Sequence, residues 1–142
     1  MENEKIVENE YGDGSPDPVQ QYRAIINAYK EYLKQLSHIL RKTTLGDLVN
    51  NPEKLNEYEQ IIIDVIANIE LLGRSPPGWN FKKSEVIQNL ENAQVELGKA
   101  QYFLTYRESN PVASAESLKH IHPCRSHLDL AASKMVLRKS RT

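Results

Sequence analysis

Apolar side chains recur at alternating steps of three and four along three long segments of this chain, and that period restricts it to helices that bury one stripe each. The first stripe is Val19, Tyr22, Ile26, Tyr29, Leu33, Leu36 and Leu40, with Ile25, Tyr32 and Ile39 repeating every seven residues beside it. Asp17 before Pro18 supplies a start signal, a capping carboxylate ahead of a proline whose missing amide costs nothing at the first helical position. A helix over about 18–42 is expected. Asn51 and Pro52 repeat the signal, and Leu55, Tyr58, Ile62, Val65, Ile69 and Leu72 predict a second helix over 52–72. Ile61, Ile63, Ile66 and Leu71 add apolar surface on its other faces and mark it as the most buried helix. Between the two, Thr44 can cap one short turn, and Gly73 offers a left-handed residue to end the second helix.

Ser75, Pro76, Pro77, Gly78 and Trp79 then form a turn, with Trp79 and Phe81 placed to close the end of the core. The third helix is expected over 84–108 on Val86, Leu90, Ala93, Leu97, Ala100 and Leu104, where the alanines permit close approach of a neighbour. Asn110 and Pro111 stop it. In the last segment Ile121, Cys124, Leu128, Ala131 and Met135 keep helical spacing, but Pro123 lies inside the run. An interior proline removes a hydrogen bond and clashes with the carbonyl four residues back, at about 3 kcal/mol, so a broken or kinked fourth helix over 123–138 is expected. The segments show no period-two alternation. The chain therefore reads as all-α: an antiparallel bundle of three long helices plus a broken fourth, in one domain over 18–142.

Composition places this bundle among possible functions. With 142 residues and one Cys, the chain can bury a single core and cannot build an intramolecular disulfide framework. The net charge of −1 hides opposite ends. Residues 1–17 hold six acids and one base and few apolar groups, which predicts a flexible acidic arm; residues 118–142 hold six bases and one acid. The start has neither the basic flank nor the apolar run of a signal peptide, and the block Ile61–Leu72 is shorter than the ~20 residues of a membrane span. A cytoplasmic protein without a membrane partner is expected.

No phosphate loop, dinucleotide fingerprint or nucleophile elbow occurs, which argues against an enzyme of those classes. The acids Glu53, Glu57, Glu59, Asp64, Glu70, Glu85, Glu91, Glu96, Glu108 and Glu116 fall off the apolar stripes, and no His follows a Glu by three, so a di-iron carboxylate centre is not indicated. His120, His122, Cys124 and His127 are the concentrated ligand set, and thiolate with imidazole suits zinc or copper. The alternative is that Cys124 fills a stripe position and the histidines are polar groups at a helix start. Arg138, Lys139 and Arg141 raise nucleic acid as a partner through backbone phosphates, against a simple role in complementing the end of the last helix.

Seven Tyr against two Phe favour half-buried edges and contact surfaces over a dry core. Tyr22, Tyr29, Tyr32, Trp79, Tyr102 and Tyr106, with the basic trio Arg138, Lys139 and Arg141, are the candidate partner-binding residues. The first two helices carry more apolar surface than an internal core uses. The function expected is therefore a non-enzymatic, self-associating helical interaction protein with no cofactor; a zinc-binding protein and a nucleic-acid accessory protein are the alternatives.

Overall fold

The computed structural model describes residues 17–105 and 112–140. The acidic residues 1–16 and candidates Tyr106 and Arg141 lie outside the described residues. Among the described residues, five helices and one short strand pair occur in the order α1 (Pro18–Arg41), α2 (Leu45–Asn50), α3 (Lys54–Leu71), β1 (Trp79–Asn80), α4 (Lys83–Thr105), α5 (Ala113–Ser133) and β2 (Arg138–Lys139). The all-α class is as the periodicity predicts.

Local chemistry sets the helix starts. Asp17 Oδ1 accepts the Val19 amide at 2.9 Å, ahead of Pro18. Thr44 and Asp47 close a reciprocal capping box on α2, at 3.1 and 2.9 Å. The α3 start lies two residues later than Pro52, because the chain first closes a tight turn from Asn51 O to Lys54 N. Gly73 does not take a left-handed conformation. Instead α3 leaves through the extended Leu72, and the Lys83 ammonium donates to the carbonyls of Glu70 and Leu72. A cation takes the negative helix end where a glycine was expected. Gly78 takes a positive φ (84°), in a turn closed by Trp79 N to Pro76 O at 3.0 Å.

The fourth helix corrects the sequence reading most. It starts at Ala113, ten residues before the expected 123, runs uninterrupted through Pro123, and ends at Ser133. The carbonyl that loses its partner belongs to Lys119, which is exposed, and Pro123 itself is only half-buried. Water can satisfy that carbonyl, so the proline is accommodated within one helix. Beyond Ser133 the chain turns, and Arg138–Lys139 pairs antiparallel with Trp79–Asn80. The expected basic helix end is thus a strand fixed to the turn between α3 and α4.

Cross-helix hydrogen bonds give the directions. Asn56 and Glu59 meet Gln101 and Gln94, and Ser117 and Lys134 meet Ala100 and Asn89, so α3, α4 and α5 are successively antiparallel. α5 packs on α1 as well as α4, while α1 and α3 barely touch. The tightest pair is α4–α5, where Ala93, Ala100, Ser117 and Cys124 are all buried and the Ser117 hydroxyl donates to Ala100 O at 2.7 Å. Small side chains bring the axes close, and dispersion contacts rise with them. This is why α5 buries eight residues and α3 only four, against the expectation that α3 is the most buried. Leu71 and Ile63 of α3 are exposed. Tyr22 is committed to the core, its hydroxyl donating to Gly73 O at 2.8 Å and its ring edge-on to Phe81.

Candidate interaction surface

The thin contact between α1 and α3 leaves a groove along one face of the bundle. One hollow of about 300 Å³ lies between Tyr29 and Tyr32 of α1 and Ile61, Asp64, Val65 and Asn68 of α3. A second, of about 490 Å³, continues toward α2 between Ile39 and Lys42 and the pair Lys54 and Tyr58. Tyr29 and Tyr32 stack with centroids 6.3 Å apart on the α1 wall. Tyr58 is half-buried, and burial pushes its phenol above the ordinary range.

The α1 wall holds the row that repeats every seven residues. Ile25, Tyr32 and Ile39 are 41%, 56% and 44% exposed, so the row beside the buried stripe stays at the surface. They lie on the flank of α1 away from α5, whose side is taken by Ser37, bonded to Asp129 at 2.6 Å. The charges along the groove are unequally placed. Asp64 lines the end near Tyr29, while Lys42 and Lys54 line the other end. Asp47 also lines that end, but its carboxylate accepts the Thr44 amide and is held below the usual range by that bond.

The remaining partner candidates are scattered. Tyr102 is exposed on α4, edge-on to Phe103 at 5.5 Å. Trp79 is half-buried at the end of the bundle with the Arg23 guanidinium 5.1 Å over its ring, and Arg138 and Lys139 project from β2 beside it. These do not join the groove.

On the single α5 helix, His120, Cys124 and His127 fall toward one side and His122 toward the opposite, exposed one. Cys124 is fully buried, and burial raises its thiol to about 12, with Glu96 adding to the effect. A thiol held that high is not a ready nucleophile at neutral pH. His120 instead pairs with Glu96 of α4, Nδ1 to Oε1 at 2.8 Å, and stacks on Phe103 at 5.5 Å. Among the described residues no three His, Cys, Asp or Glu side chains are gathered to share an ion.

Sequence reasoning missed the Glu96–His120 pair because the acids were judged against the apolar stripe alone. Glu96 borders that stripe, next to Leu97, and only the approach of α5 turns the border into a half-buried site. Among the described residues no helix is long and apolar enough to cross a membrane. Comparison with family models, curated proteins and solved structures finds no match to this chain.

Proposed function

We propose that this protein is a helical interaction module that works by binding rather than catalysis, and that its α1–α3 groove docks a second copy of the same chain. The observation that carries the reading is the exposed row Ile25, Tyr32 and Ile39 beside an open groove. Scattered exposed apolar residues need no explanation, but a contiguous row along a cleft is the usual character of a contact surface.

A second copy fits the groove in size and in charge. α1 has 24 residues and is therefore about 36 Å long, and a face two helices wide offers about 700 Å² per partner, close to the ~800 Å² of a standard interface. A two-fold axis across the groove lays the copies antiparallel, which sets Asp64 of each against Lys42 and Lys54 of the other. The same operator brings the Tyr29–Tyr32 stack against Ile39 and Tyr58. Aromatic and aliphatic anchors beside complementary charges suit a specific interface.

Sedimentation velocity over a wide concentration range tests this. The wild type is expected to pass from monomer to dimer, and Tyr32→Glu with Ile39→Glu is expected to remain monomeric with its thermal unfolding little changed, since both side chains are already exposed. A wild type that stays monomeric throughout refutes the proposal.

A further inference from the structure

Away from the groove, the end of the bundle formed by the α1 start, the 72–82 turn and β2 gathers cations that lie far apart in the sequence. Arg23 comes from α1, Arg74, Lys82 and Lys83 from the turn and the start of α4, and Lys134, Arg138 and Lys139 from the chain after α5. The β1–β2 pairing creates this convergence, because it sets Arg138 opposite Asn80 and Lys139 opposite Trp79. Between the strands and the end of α5 lies a hollow of about 100 Å³ lined by Asn80, Lys82, Lys134 and Arg138.

We propose that this hollow is a binding site for a phosphate group. Its size admits a group of a few heavy atoms, and three cations surround it. A carboxylate satisfies one or two such donors; a phosphate presents more oxygens and a larger charge, and a guanidinium can take two of them at once. The negative end of α5 does not oppose the ligand strongly, because the Ala131 and Ala132 carbonyls accept the amides of Lys134 and Met135. Lys134 is already held by Asn89 Oδ1 at 3.0 Å and Glu85 at 3.4 Å, which fixes its ammonium at the rim. Among the described residues Lys82 and Arg138 have no such partner and are the groups a phosphate engages. The remaining cations lie outside the hollow, where further phosphates of a longer ligand reach them.

Trp79, the one tryptophan, lies at this end and reports binding by its fluorescence. The full chain is titrated at low salt with inorganic phosphate, pyrophosphate and a short single-stranded oligonucleotide. Saturable phosphate binding is expected, weakened about fivefold by Arg138→Gln and separately by Lys82→Gln, with Arg138→Lys intermediate. An oligonucleotide that binds far more tightly than pyrophosphate, with affinity falling steeply in salt, identifies a phosphodiester chain as the source; equal affinities identify a small phosphate ester. Either supports the site. Absence of saturable binding to all the probes overturns it, as does binding that neither glutamine variant weakens. Both side chains are exposed, so circular dichroism melts are expected to match the wild type and to separate loss of binding from loss of fold.

Discussion

Replacing Glu96 by Gln is expected to destabilise the protein in a pH-dependent way. Glu96 accepts from His120 Nδ1 at 2.8 Å, and the two side chains are 18% and 25% exposed. An ionised carboxylate only accepts, so Nδ1 carries the proton in this bond. The His120 bond holds the Glu96 carboxyl below its ordinary 4.5, with a smaller contribution from Lys99 and an opposing one from burial. Because the folded value lies below the unfolded one, the stabilisation is fully present above about pH 4.5 and is lost as pH falls through the folded value. Glutamine keeps an acceptor oxygen and removes the charge. Charge-assisted hydrogen bonds contribute about 1.5–3 kcal/mol, and a neutral bond about half of that. Partial solvent screening reduces the difference, leaving a cost of about 1 kcal/mol at pH 7, or about 4 °C in Tm for a domain of this size. Urea unfolding at pH 7 and at an acid pH below the folded value measures it: there the wild-type carboxyl is itself neutral, and the two proteins are expected to converge. An equal cost at both pH values, or none at pH 7, refutes a charge-assisted link between α4 and α5.

Two further substitutions or probes follow from α5. The Cys124 thiol, buried and raised to about 12, is expected to resist a thiol reagent at pH 8 in the native protein and to react at once in denaturant; rapid native labelling contradicts the packing. Pro123→Ala restores a donor for the carbonyl of the exposed Lys119 in an uninterrupted helix, so it is expected to raise stability by about 1 kcal/mol or more in urea unfolding, and a loss of stability would show that the proline is needed where it stands.

Features that depend on neighbours a few residues away could be read along the chain. The Asp17–Pro18 start, the Thr44 capping turn and the stripes of α1, α3 and α4 were legible because caps and helical periods are local. The turn at Gly78 was legible for the same reason. Where two segments must meet, local rules ran out. Whether Pro123 breaks a helix depends on which side of α5 faces water. Whether Arg138 and Lys139 end a helix or form a strand depends on Trp79 and Asn80, about sixty residues earlier in the chain. The candidate surfaces divide in the same way. Ile25, Tyr32 and Ile39 were visible as a row, but both sides of a helix look equally able to be buried until its neighbours are placed. α5 occupies one flank of α1, and the weak approach of α3 leaves the other open. Likewise Glu96 and His120, or Lys82 and Arg138, carry no signal in spacing along the chain. Tertiary structure decided those sites, because burial and charge are properties of volume and not of order along the chain.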